Sequence, residues 1–468
     1  MKTVIHTISA MDVFGPEKTV LNECLALEAA GWRARIVNLW ESEDVPMSHK
    51  ARSAGARYEV LRTAGKFDIA AIRALARQLR AEPDVVVHSH GYKADLYTES
   101  RAAVAGGITS FMEMPNTRPP AVTLEAVADK MARAAARSVA NYSFYLGATN
   151  DNLEVIKQFT KDHGCGIKVF MGASTGNMLV DDPETLDAIF REARTLVITH
   201  CEDTPTIDRN LAAEKARGVP LDATRHPYIR STEACVKSTK LAMELARRHD
   251  TRLHILHVST GAETDLFEKK PLREKRITAE TCVHFLHFDS RDYPRLGNLI
   301  KCNPAVKFPD DRDRIIAALV DGRLDVLATD HAPHTWDEKQ QRYEQAPSGL
   351  PLVQHCLQAA LERVHDGAFS LELLIERACH APAILFGVKE RGWLREGYWA
   401  DLACIDMNAQ PLVRREDVLS KCGWSPFDGH TFRSRIDATW VNGHLAWHDG
   451  KLDDSRLGMR LEIGRGRE

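Results

Sequence analysis

Several short apolar runs in this chain end in side chains able to hold a divalent cation. His88 and His90 close the run DVVVHSH. Adjacent strand residues point to opposite faces, so two histidines two apart point the same way. Four later runs carry further candidates: Lys168 in GIKVFM, His200 in LVITHC, His257 in RLHILHV and Asp330 in DVLATDHAPH. Imidazole and carboxylate suit zinc and its neighbours, and catalytic sites keep one position open for water. A neutral lysine amine takes up carbon dioxide to become a carbamate, whose two oxygens can bridge two cations. That chemistry requires burial deep enough to pull the amine well below its ordinary pKa of ~10.4.

Each residue alone has a plainer explanation. A single histidine at a strand end is most often a satisfied core or surface residue, and His254, three residues before His257, is expected to be one, facing away from it. Lys168 alone reads as an ion-paired or snorkelling lysine, and Asp330 alone as a turn or helix cap. The recurrence of ligand-type residues at the ends of five candidate strands outweighs these separate readings.

Such residues converge only if the strands are parallel neighbours. Short β-branched runs alternate with amphipathic stretches along most of the chain, the pattern of βα units. Candidate strands are TVIHTIS, ARIVNLW, YEVLRT, DVVVHSH, ITSFMEM, YSFYLGA, GIKVFM, LVITHC, RLHILHV, RITAETCVH and DVLATD; DIAAIRALARQLRA and STEACVKSTKLAMELARRH read as helices. The fold class expected is α/β, with a (β/α)8 TIM barrel over residues 84–390. A Rossmann-like segment (1–83) precedes it and a small β-rich part of an incomplete sandwich (391–468) follows. In a parallel barrel the C-terminal strand ends form the active face, where distant residues meet.

Bulk properties narrow the partners. The chain has 468 residues, 44% of them hydrophobic and 27% charged, with a formal net charge of -3. That balance gives no reason to expect nucleic acid or an anionic membrane, which leaves a small-molecule substrate. Ten cysteines, none in a CxxC pair, suit neither a disulfide framework nor a zinc knot. Most are expected to be buried free thiols, Cys404 in ADLACID among them. No run reaches the ~18 apolar residues of a membrane span and no signal sequence is legible, so a cytoplasmic location is expected. A homo-oligomer is left open.

From about Tyr97 onward the chain resembles the dihydroorotases of the amidohydrolase superfamily. The words that carry the likeness are AAVAGGITSFMEMPNTRPP, GIKVFMGASTGNMLVDD, ITHCEDTP, ATDHAPHTWDEKQ, LSKCGWSPFDGHTFRSR, GYWADL and VNG. The resemblance implies a barrel with two divalent cations, usually zinc. His88 and His90 would be the first-strand pair, Lys168 the bridging carboxylated lysine, His200 and His257 ligands of the second cation, and Asp330 a ligand that also shuttles the proton. Asn116 and His334 would contact the substrate carboxylate. The implied reaction interconverts N-carbamoyl-aspartate and dihydroorotate in pyrimidine biosynthesis. Two cations lower the pKa of a shared water, and one polarises the carbonyl under attack.

The opening segment departs from that family. A dihydroorotase reads HxHxR followed by a Pro-Gly turn; here HSH runs into GYKADLYTES, so Tyr92 stands where the carboxylate-binding arginine would be. Residues 1–97 instead resemble the N-terminal half of a GT-B glycosyltransferase, through HTISAMDVFGPEKTVLNECLALEAAG and PDVVVHSHGYKADLY. Three functions therefore stand side by side: a dihydroorotase-type hydrolase, impaired or not by the missing arginine; a non-catalytic scaffold or fusion product; and a glycosyltransferase, disfavoured because no second Rossmann-like half follows.

Overall fold

The structure is a computed structural model that describes residues 3–8, 15–31, 33–40, 44–62, 85–89, 92–172 and 178–464. The predicted helix DIAAIRALARQLRA lies outside the described residues. The chain divides into two compact units, Met1–Asp95 and Leu96–Glu468.

The first unit contains four parallel strands, β1 (Thr3–Ile8), β2 (Arg33–Trp40), β3 (Tyr58–Arg62) and β4 (Val85–Ser89), in the order β3-β2-β1-β4. Its core gathers Val20, Leu21 and Cys24 of the first helix with Ala34, Ile36, Met47 and Ala51. The strand carrying HSH belongs to this sheet: β4 hydrogen-bonds to β1 in a register that aligns His6 with His88.

The second unit is built on seven parallel strands in chain order, β5 (Ser110–Glu113), β6 (Asn141–Gly147), β7 (Gly166–Phe170), β8 (Val197–His200), β9 (Leu253–Ile255), β10 (Ile277–Cys282) and β11 (Val326–Ala328). This sheet curls into a TIM-barrel-like domain. Every residue of β6, β7 and β8 is buried, because helices cover one face and the barrel interior fills the other. Helix Thr232–Arg248 shows how the sequence selects its covering face. Ser231 caps it by accepting the Ala234 N–H, and Ala234, Cys235, Ser238, Thr239, Ala242, Met243, Leu245 and Ala246 are buried at helical spacing. Helix Tyr92–Ala105 stops at a Gly-Gly pair. Gly107 has φ 80°, and a Cβ on Gly106 would lie 2.5 Å from the Gln354 carbonyl oxygen.

The remaining strands, β12 (Leu402–Asp406), β13 (Arg435–Val441), β14 (His444–His448) and β15 (Lys451–Leu452), form an antiparallel sheet in chain order. Its two tight turns are Asn442-Gly443 and Asp449-Gly450, all four residues at positive φ (52°, 80°, 48° and 76°), as the twist of a two-residue hairpin demands. Cys404 corrects the expectation of burial: it is exposed, because β12 is the edge of this small sheet, and Cys379 is exposed as well. Seven of the ten cysteines are buried. Among the described residues no helix is long and apolar enough to cross a membrane.

Candidate functional site

Register brings the barrel residues together. Phe170 of β7 aligns with His200 of β8, and Lys168, two residues before Phe170, therefore points to the same side as His200. Lys168 is 2% exposed, with Nζ 4.5 Å from the centre of the Phe170 ring. His200 is the last residue of β8, and its Nδ1 lies 3.1 Å from Nε2 of His257.

His257 and Asp330 share a feature that strand alternation does not supply. Each lies two residues beyond its strand, β9 ending at Ile255 and β11 at Ala328, and each has left-handed backbone, φ 40° and 46°. Such a conformation costs on the order of 1–2 kcal/mol in a residue with a Cβ and persists only where the surroundings enforce it. For His257 the enforcement is visible: the Leu256 N–H donates to the Thr199 carbonyl and the Val258 N–H to the Glu280 carbonyl, so strands on both sides hold the turn. His254 is fully buried as expected, its ring nitrogens 2.8 Å from Thr278 Oγ1 and 3.1 Å from Glu280 Oε2. Strand alternation is not what separates it from His257, since the chain has already left β9 at that point.

The electrostatics follow from burial. Desolvation pulls the Lys168 amine down to about 7, against the opposing fields of Asp330, Cys201 and Glu280. Desolvation pushes the Asp330 carboxyl up to about 7, while Lys168 pulls it down. One proton can therefore reside on either group near neutrality. His200 and His257 are both lowered by burial, with Lys168 adding to the effect, so both imidazoles are neutral nitrogen donors. Glu202, two residues beyond His200, is fully buried; burial raises its pKa, but Arg230 and His200 outweigh it and hold the carboxyl down at about 2. The Arg230 guanidinium hydrogen-bonds to Glu202 Oε2.

These groups fit a divalent cation. Two nitrogens bound tetrahedrally to one zinc at about 2.05 Å lie roughly 3.3 Å apart, close to the separation of the two imidazoles. His257 Nδ1 has no hydrogen-bond partner among the described residues, and His200 Nε2, 3.1 Å from Glu202 Oε2, lies outside hydrogen-bond geometry. Among the described residues, no three His, Cys, Asp or Glu side chains gather as a ready cation site. Lys168, beside the histidine pair, would contribute oxygen ligands only as a carbamate.

His88, His90, Asn116 and His334 complete the predicted set. The His88 side chain and all of His90 lie outside the described residues, as does the Tyr92 side chain; the backbone of His88 is part of β4. Asn116 is exposed in the loop after β5. His334 is half-buried, with Nε2 3.1 Å from the Ser348 carbonyl oxygen. Its Nε2–H is thus committed, and only a protonated ring could donate from Nδ1 to a carboxylate. Burial, followed by Lys339, lowers its pKa and opposes that state.

Sequence reasoning missed three residues. Glu280 on β10 acts on both Lys168 and Asp330, and its signal was a carboxylate inside the β-branched run RITAETC. Glu202 stood in plain view in HCED. Arg230 had no local signal, since its partner is 28 residues away.

Comparison with known proteins identifies the family. The profile of the amidohydrolase family matches residues 73–446, and the chain belongs to that family. It is 34% identical over 333 residues to a dihydroorotase of Halobacterium salinarum, covering 71% of this chain and 76% of that protein. With a dihydroorotase of Methanothermobacter thermautotrophicus the identity is 30% over 366 residues, covering 77% and 81%. Among solved structures, the L-hydantoinase (dihydropyrimidinase) from Arthrobacter aurescens superposes with a TM-score of 0.75 at 25% identity, covering 81% of this chain and 91% of that one.

Proposed function

We propose that the chain is a cyclic amide hydrolase of dihydroorotase type, interconverting N-carbamoyl-aspartate and dihydroorotate in pyrimidine biosynthesis. The observation that carries this reading is the close pair of buried imidazoles His200 and His257, both under the influence of buried Lys168, whose charge is in turn coupled to that of the partly buried Asp330. The two dihydroorotase relatives supply the substrate class.

Two divalent cations, with zinc preferred, would be held by His88, His90, Lys168 as its carbamate, His200, His257 and Asp330; when bound, they polarise the ring carbonyl and acidify water. The chain's own groups do the rest. The desolvated Lys168 amine is neutral enough near pH 7 to take up carbon dioxide, and His200 and His257 offer unprotonated nitrogens. Asp330, with its pKa raised to about 7, accepts the proton of the attacking water and returns it to the ring nitrogen as the amide bond breaks. Asn116 and His334 would hold the substrate carboxylate, the bound anion favouring a proton on His334 that burial and Lys339 otherwise oppose. We further propose a Rossmann-like half-domain over residues 1–83, a barrel over 84–390 and an incomplete β-sandwich over 391–468. The strand order β3-β2-β1-β4 supports the first.

One observation favours a second reading, a non-catalytic dihydroorotase-like scaffold. The strand bearing His88 pairs with β1 in the first unit, whereas the family profile begins at residue 73 and includes that strand. Ring opening by the zinc-supplemented full chain separates the two, with dihydroorotate tested beside hydantoin, allantoin and dihydrouracil. Turnover of dihydroorotate above the others, abolished in Asp330→Asn, supports the hydrolase. Absence of turnover with two zinc ions bound supports the scaffold.

A further inference from the structure

Asp330 is followed at once by a residue tied to three distant parts of the barrel unit. The His331 N–H donates to Thr329 Oγ1 (3.2 Å), and its ring Nδ1 accepts the backbone N–H groups of Leu352 (2.9 Å) and Val353 (3.1 Å). Two amide donors on Nδ1 leave the ring proton on Nε2, which donates to Glu99 Oε2 at 2.8 Å. The other Glu99 oxygen accepts from the Ser420 hydroxyl (2.9 Å) and the Lys421 N–H (3.1 Å). Glu99 and His331 are each less than one fifth exposed at the side chain. The adjoining Ala332 N–H donates to the Leu350 carbonyl, and Trp424 Nε1 donates to the His334 carbonyl at 2.7 Å.

We propose that Glu99, acting through His331, is a positioning residue for Asp330. The inference rests on the reading of Asp330 as the proton-moving group and cation ligand. A left-handed aspartate relaxes unless its neighbours over-determine it, and His331 is a neighbour held on both sides of its ring. With Glu99 removed, the imidazole keeps its two amide donors and loses the anchor on its other side. The ring can then pivot about the 352–353 backbone and carry the Asp330 carboxylate with it. A shift of about 1 Å at a reacting group can lower turnover by about a hundredfold.

The test uses the full chain loaded with zinc. Glu99→Ala is expected to lower kcat for dihydroorotate ring opening by about tenfold or more, with KM within about threefold of wild type. It should also release bound zinc to a chelator at least about ten times faster, since Asp330 is a ligand as well as a base. Ser420→Ala, which leaves the Glu99–His331 bond in place, should change both readouts by less than about twofold. Glu99→Gln serves should the alanine variant not fold: its amide oxygen can satisfy Ser420 and Lys421 only by presenting an NH2 group to the Nε2–H of His331, so it should show the same defects. Zinc release and kcat within twofold of wild type in a folded Glu99 variant overturns the proposal. A wild-type chain that binds zinc and opens no cyclic amide defeats the hydrolase reading alone, and the zinc-release comparison still judges the role of Glu99.

Discussion

The Nδ1 of His200 and the Nε2 of His257 lie 3.1 Å apart at the ends of adjacent strands, both on buried imidazoles whose pKa values are lowered. Two neutral rings in that arrangement either share one proton in a hydrogen bond or share a cation, and the distance suits both.

Removal of either ring should therefore cost cation before it costs fold. For His257→Ala we expect bound zinc, measured by elemental analysis after dialysis, to fall by about half or more, and ring opening to fall by at least about a hundredfold. Thermal unfolding of the metal-free variant should fall only modestly below that of the metal-free wild type, because the Leu256 and Val258 backbone bonds that hold the turn do not involve the imidazole.

The contribution of HSH can be measured without knowing where it sits. If His88 and His90 are ligands, the double variant His88→Ala, His90→Ala binds one zinc where the wild type binds two. An unchanged stoichiometry would assign the first-strand role to other residues and strengthen the scaffold reading.

Arg230 is expected to matter through Glu202. The carboxylate is fully buried, and among the described residues Glu202 Oε1 has no hydrogen-bond partner, so removing the guanidinium leaves a charge poorly compensated. Arg230→Met should destabilise the chain by about 3–5 kcal/mol in urea unfolding. Adding Glu202→Gln should restore part of that loss, because the neutral amide costs less to bury.

Part of the acid sensitivity should come from histidines outside the site. Burial holds His287 down to about 3, with Arg363 adding to the effect, and burial holds His355 down to about 4. In the unfolded chain both titrate near their ordinary value of about 6.5, so below that pH the unfolded state binds protons that the folded state excludes. Stability is full above about 6.5 and falls as pH drops toward about 4, by about 1.4 kcal/mol per pH unit for each ring. His287→Phe keeps the aromatic contacts to Phe427 and His430, and His287 Nδ1 has no partner to lose. Melting curves of this variant between pH 7 and 4.5 should slope less steeply than those of the wild type.

Much of the second unit was legible because the relevant signals are local. The five-residue run GIKVF, with β-branched Ile167 and Val169, predicts a strand, Asn-Gly and Asp-Gly predict the two hairpin turns, and Ser before TEACVKS predicts the start of a long helix; each is read from residues within a few positions of one another. His200, His257 and Asp330 were legible for the same reason, since each stands at or just past a strand end, whereas Lys168 is the middle residue of its strand and stood out as a charge inside an apolar run.

What the linear order determined is the inventory: the alternation of strand and helix, the turns, and the ligand-type residues waiting at strand ends. What tertiary structure decided is partnership. It chose β1 as the neighbour of β4, turned His257 and Asp330 into left-handed backbone, left Cys404 on an exposed edge, and joined Glu99 to His331 across 232 residues. Propensity and periodicity act over one turn or one strand, whereas pairing and burial are settled by competition among all the surfaces the chain brings together.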